Sequence, residues 1–118
     1  MKDMLSKAAV KHGGKCIGLA VGIRAAYIAS NIFDQDLSAP SKITCGTKHC
    51  IAEAFRTLYP KTSVRIEKVR NDKVLIESHK TRLTLQLAPK EKNKFSRITE
   101  VLTVPDKVLF DSVNLISR

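Results

Sequence analysis

The spacing of hydrophobic residues in the first half of the chain predicts three helices and one strand. Residues 1–11 have the period of a short helix, and the apolar run 17–33 that of a long buried one. Residues 42–46 resemble a short buried strand that ends at a glycine turn. A second amphipathic period over residues 48–58 predicts a helix with four hydrophobic side chains on one face: Ile51, Ala54, Phe55 and Leu58.

The second half begins with three runs typical of strands, at residues 63–70, 73–78 and 81–87, separated by short polar turns. A basic connector follows at residues 89–97. Residues 98–104 are rich in β-branched side chains and predict another strand. Pro105 then predicts the start of a final helix with four inward-facing residues: Val108, Leu109, Val113 and Ile116.

This order of elements predicts an α+β fold in which helix, strand and helix are followed by three antiparallel strands. The three strands form a meander, helices pack on one face of a mixed sheet, and an extra helix lies at each end. We expect a single domain over residues 1–118, with a core at about 8–88, the connector at 89–97 and a C-terminal strand and helix at 98–118.

The long apolar helix is too short to be a membrane span, because it has 17 residues, includes Arg24, and is followed by polar residues. Small residues recur along it every four positions, at Gly18, Gly22, Ala26 and Ser30. Such a stripe allows close approach of another surface. We therefore expect a sheet or a second subunit to pack against it, and the chain to form a homodimer through this helix or through a face of the sheet.

Composition adds two constraints. The net charge of +10, from 21 basic and 11 acidic residues, suits nucleic acid or an acidic partner protein, although the basic residues are dispersed along the chain. Three cysteines cannot all pair within one chain, and the amphipathic N-terminus does not resemble a signal peptide. Both features favour reduced thiols and a cytoplasmic location.

Residues 12–18 contain the most distinctive chemistry, because His12 and Cys16 are separated by two glycines and a lysine at the start of the long helix. Amide groups at a helix N-terminus favour a thiolate. Cys50 stands near the start of the next predicted helix, and His49 is adjacent to it. Nitrogen and sulfur ligands favour zinc, iron or copper, with three protein ligands in a catalytic site and four in a structural one.

Three other residues are weaker candidates. Cys45 lies on an apolar strand, so a place in the core is a better interpretation than a role as a ligand. Lys15 and Arg24 could hold an anion near the glycines, but the full phosphate-loop pattern is missing.

The same residues resemble a known signature. The FmdE family, the group around one component of molybdenum and tungsten formylmethanofuran dehydrogenases, has a His-Gly-His-x-Cys-Pro-Gly motif followed by Gly-x-Arg. This chain is similar at His12, Gly13, Cys16, Gly18, Gly22 and Arg24, and departs from the motif at Gly14 and Ile17. A second family motif, a Cys before the second helix, is matched with changes at residues 50–54, and Lys73 falls at the family's turn between two strands.

The resemblance covers residues 8–88 and implies a metal-binding pocket, most simply for zinc, formed by His12, Cys16 and Cys50. A further hypothesis is that the chain is an accessory subunit of a larger redox complex. If the site is catalytic, Cys16 and Cys50 either ligate a metal with an open position or undergo redox chemistry themselves. The alternative is a basic module that binds nucleic acid or an acidic partner without any metal.

Overall fold

A computed structural model describes residues 2–14, 16–33, 40–46, 49–67, 73–78, 81–88 and 97–117. The helices are α1 (Lys2–His12), α2 (Ile17–Phe33), α3 (His49–Leu58), α4 (Ile98–Thr103) and α5 (Asp106–Leu109). The strands are β1 (Lys42–Cys45), β2 (Ser63–Ile66), β3 (Lys73–Glu77), β4 (Thr81–Leu87) and β5 (Phe110–Ser117). The predicted α+β class, with helices packed on a mixed sheet, is confirmed.

The described strands form one five-stranded sheet in the order β2-β1-β3-β4-β5. A row of apolar residues crosses its middle, because Ile43 lies opposite Ile76, Ile76 opposite Leu83, and Leu83 opposite Leu115. The first three are fully buried and belong to the core that the helices share. Directly paired residues point to the same side of a sheet, so this row marks the face that the helices cover.

Helices α1 and α3 each bury an apolar face. Helix α1 buries Leu5, Ala8 and Ala9, and α3 buries Ile51, Ala54 and Phe55, while Leu58 of the predicted face is half-buried. None of the described helices is long and apolar enough to cross a membrane. The predicted turns at 71–72 and 79–80, and residues 89–96 of the connector predicted at 89–97, lie outside the described residues.

The meander prediction is wrong for β2. This strand pairs in parallel with β1, and β1 in turn pairs with β3. Strand β2 is therefore separated from β3 by β1, because α3 crosses over the sheet and returns the chain to the far side of β1.

The strand predicted at residues 98–104 is in fact helix α4. Ile98, Val101 and Leu102 have the spacing of one helical face, and the last two are buried, where α4 packs against α2. Packing of this face outweighs the β propensity of the individual residues.

The prediction of a final helix that begins at Pro105 and continues to Ile116 is also wrong. Helix α5 is a single turn, and the chain then becomes strand β5, antiparallel to β4. Val113 and Ile116, expected to face inward, are 47% and 50% exposed. Residues 112–115 alternate polar and apolar, which suits a strand, and β4 offers them an edge with which to pair.

Candidate cysteine site at two helix N-termini

The two glycines after His12 end helix α1. Gly13 and Gly14 have φ values of +92° and +147°, and both amides donate to the carbonyl oxygen of Ala9, at 3.0 and 2.9 Å. Residues other than glycine rarely adopt such angles. The pair therefore terminates one helix and directs the chain towards the next, which explains its presence by backbone geometry.

Cys16 immediately precedes α2 and acts as its N-terminal cap. The amide of Leu19, the third helical residue, donates to Cys16 Sγ at 3.3 Å, which is the contact that a capping side chain makes. The sulfur is half-buried and accepts an N–H at the positive end of the helix dipole. The sulfur therefore satisfies one of the amide groups at the start of α2 that have no partner within the helix.

Cys50 lies in the first turn of α3 and faces Cys16. The two sulfur atoms are 3.5 Å apart although the residues are 34 positions apart in sequence, and all three cysteines are thiols. Two thiolates bound to one tetrahedral zinc ion at about 2.3 Å are about 3.8 Å apart. A disulfide bond is about 2.05 Å long. The contact is a hydrogen bond from the Cys16 thiol to Cys50 Sγ, and its length is about 0.3 Å below the spacing of a two-thiolate chelate, so a thiophilic ion would require only a small shift of the two sulfurs.

The close approach of α2 and α3 depends on the small residues of α2. A Cβ placed on Gly18 would lie 3.1 Å from Cys50 Cβ, and one on Gly22 would lie 2.7 Å from Ala54 Cβ. At Gly18 and Gly22 the predicted stripe of small residues therefore packs closely against α3 of the same chain, and not against a sheet or a second subunit.

Cys45 has a different environment. It is fully buried on β1, and burial raises the pKa of its thiol to about 12, against a smaller opposing effect of the positive charge on Arg56. An ionised sulfur is strongly disfavoured there. This agrees with the interpretation of Cys45 as a core residue.

Arg24 does not serve an external anion in this structure. Its guanidinium donates to the carbonyl oxygens of Val101 and Val104, at 2.8 and 2.5 Å, and to Asp106 Oδ1 at 2.5 Å. These contacts hold the C-terminal end of α4 against α2. Arg24 is about 12 Å along α2 from Cys16, and its partners lie at the end of α4 and the start of α5, so it takes no part in the cysteine pair.

A cleft of about 290 Å³ opens beside the Arg24–Asp106 ion pair, lined also by Tyr27, Ile28, Asn31, Leu102, Thr103 and Val104. It lies on the α4 side of α2, so it is separate from the two cysteines.

The remaining candidates cannot be placed by their side chains. His12 is the last residue of α1 and His49 the first of α3, while Lys15 lies outside the described residues. Over the described part of the chain, no group of three His, Cys, Asp or Glu side chains could hold a metal. Sequence reasoning brought Cys16 and Cys50 together correctly, but it missed Asp106, the ionic partner of Arg24.

Comparison with known families decides the relationship. The family model described as "FmdE, Molybdenum formylmethanofuran dehydrogenase operon" matches residues 11–107, most of this 118-residue chain. The chain belongs to the FmdE family. The match includes both Cys16 and Cys50. It continues beyond residue 88, where the motif resemblance ends, as far as α5. No curated protein matches this FmdE-family chain.

Proposed function

We propose that this FmdE-family domain binds a thiophilic transition metal ion, most simply zinc, between Cys16 and Cys50. The observation that carries the proposal is the 3.5 Å separation of the two sulfur atoms across the start of α2 and α3. When bound, the ion would supply a Lewis acid if one coordination position stays open, or a structural link between the two helices if none does.

The surroundings of the sulfurs support this role. The Leu19 amide holds Cys16 Sγ at the start of α2, and both cysteines are half-buried, so a metal can reach them while the helices exclude bulk water from one side. The third thiol, Cys45, is buried and protonated, which leaves these two as the sulfur ligands.

Histidine ligands complete the proposed set. His12 is four residues before Cys16, and the Gly13–Gly14 turn leads the chain from α1 back to the start of α2. His49 directly precedes Cys50. We assign His12 as the third ligand and His49 as the first alternative to it, because each is connected to a cysteine by a short segment.

The family description connects the domain with the operon of a molybdenum enzyme. We propose an accessory role there, in which the domain holds its ion for, or beside, a larger redox complex. The alternative is a basic module that binds nucleic acid or an acidic partner without a metal; in its densest basic segment, 90–97, residues 90–96 lie outside the described part of the chain.

Titration of the reduced, metal-free protein with cobalt(II) tests the site. Thiolate ligands give Co²⁺ intense charge-transfer absorption in the near ultraviolet, and we expect one equivalent to saturate it. Cys16→Ser and Cys50→Ser should each remove most of the band, His12→Ala should weaken binding about 10-fold or more, and Cys45→Ser is the matched control that should retain it.

An absent band, or one that survives in both Cys16→Ser and Cys50→Ser, would contradict the proposal. In that case, binding of single-stranded nucleic acid with a steep dependence on salt concentration would favour the alternative.

A further inference from the structure

Strand β5 is the last strand on its side of the sheet. Among the described strands it pairs with β4 alone, which leaves its other edge open over Phe110–Ser117. Every residue from 111 to 116 is exposed. An open strand of this length presents unpaired amide and carbonyl groups that can bind another strand.

The side chains of β5 continue the hydrophobic core beyond the helices. Val113 lies opposite Leu85, and Leu115 opposite Leu83, so both point to the side of the sheet that the helices cover. Leu83 and Leu85 are completely buried, but Val113 and Leu115 are 47% and 51% exposed. Two cross-strand rows of buried residues therefore end at Val113 and Leu115, whose side chains are about half exposed to solvent.

The charge pattern also differs here. The chain has 21 lysines and arginines, yet residues 108–117 contain none and a single acid, Asp111. Natural edge strands commonly carry lysine, which prevents pairing with other strands. Two copies of a chain with a net charge of +10 repel each other over most of their surfaces, and this near-neutral strand is a place where they can approach.

We propose that a second copy of this chain adds to the sheet at β5, antiparallel and related by a two-fold axis through Asn114. An antiparallel pair about a two-fold axis places residue i opposite a residue of the same parity, so that both side chains share a face. With Asn114 on the axis, Val113 of each copy lies opposite Leu115 of the other. The four apolar side chains then cover one another on the helix side of a continuous ten-stranded sheet.

This register is selected by the side chains. Moving the axis to Val113 would place Leu115 opposite Asp111, and moving it to Leu115 would place Val113 opposite Ser117. Only the axis at Asn114 pairs both exposed apolar residues of this face with apolar residues.

Sedimentation equilibrium of the full chain tests the interface. We expect the wild-type protein to have twice the 13.1 kDa mass of one chain, and Val113→Lys/Leu115→Lys to have the mass of a single chain. Val10→Lys is the matched control, because Val10 is an exposed apolar residue on α1, 84% accessible, and should leave the dimer intact.

A second measurement tests the register. In a mixture of differently labelled chains, isotope-filtered NMR should show contacts between Val113 methyl groups of one copy and Leu115 methyl groups of the other. A monomeric wild-type chain, a Val113→Lys/Leu115→Lys dimer, or a dimer without these contacts would overturn the proposal.

The interface and the metal site are independent tests. The cysteines lie at the N-termini of α2 and α3, whereas β5 lies at the sheet edge, so the monomeric variant should bind cobalt(II) as the parent does.

Discussion

Gly18 of α2 lies directly against Cys50 of α3, so closely that a Cβ on Gly18 would be 3.1 Å from Cys50 Cβ and 3.4 Å from its sulfur. The glycine is therefore the residue that permits Cys50 to approach Cys16. Spacing of the two sulfurs depends on this contact between helices, and not only on the cysteines themselves.

Gly18→Ala should disturb the site more than the fold. Alanine gains about 1 kcal/mol of helix propensity over glycine, which offsets much of the strain of a 3.1 Å contact. The Cys50 side chain must shift by a few tenths of an ångström, so we expect cobalt(II) affinity to fall about 10-fold. The free energy of unfolding should change by less than about 1 kcal/mol.

Gly22→Ala is the matched comparison, one helical turn further along α2. Its Cβ would lie 2.7 Å from Ala54 Cβ and 2.9 Å from Ile51 Cα, and the backbone cannot move aside as a side chain does. We expect a loss of about 1–2 kcal/mol in urea unfolding. Equal effects of the two substitutions on both metal affinity and stability would contradict this division of roles.

Arg24 should prove to be a structural residue. Arg24→Met removes the donors to Val101 and Val104 and should lower the free energy of unfolding by about 2–3 kcal/mol, because buried carbonyl groups lose their partners. Asp106→Asn should cost less than about 1 kcal/mol, since the Asp106 side chain is 57% exposed. Urea unfolding measures the free energy of unfolding of both variants. An Arg24→Met protein as stable as the parent would show that these contacts contribute little to stability.

The sequence predicted the first three helices because each has a clear apolar face, and β1, β3 and β4 because their runs are apolar or alternate. It failed for the place of β2 in the sheet and for the elements after residue 97. There, β-branched residues form α4 because Arg24, more than 70 positions earlier, binds the carbonyl groups at the end of that helix. Likewise β5 depends on an open edge of β4. Arg24 and the edge of β4 are both distant in sequence from the elements that they stabilise, so the local pattern of hydrophobic residues does not reveal them.

The cysteine pair was predictable for a different reason. Cys16 and Cys50 each stand at a helix start in the sequence, and a helix-strand-helix unit brings such ends together. Gly13 and Gly14 end α1 in the structure. A pair of glycines also suits a loop that approaches an anion, so the sequence alone does not distinguish the two roles.

Burial of Cys45 predicts a loss of stability at high pH. Its pKa is about 12 in the folded protein against 9.0 as the ordinary value, so the folded state holds the proton more tightly than the unfolded chain does. This contribution is complete below pH 9 and is lost as pH rises from 9 to 12, with a slope of at most about 1.4 kcal/mol per pH unit.

Urea unfolding at several pH values in that window, compared between the parent and Cys45→Ala, isolates the effect of this thiol from that of lysines and tyrosines. The variant should show the shallower decline. Identical slopes in the two proteins would mean that Cys45 ionises equally easily in both states.

The proposed metal site is tested most directly by the zinc content of untagged protein purified under reducing conditions without oxygen. We predict about one zinc per chain in the parent and in Cys45→Ser, and almost none in the double variant Cys16→Ser/Cys50→Ser. Metal-free parent protein that also fails to take up added zinc, or a double variant that keeps its zinc, would contradict the assignment of this cysteine pair as a metal site.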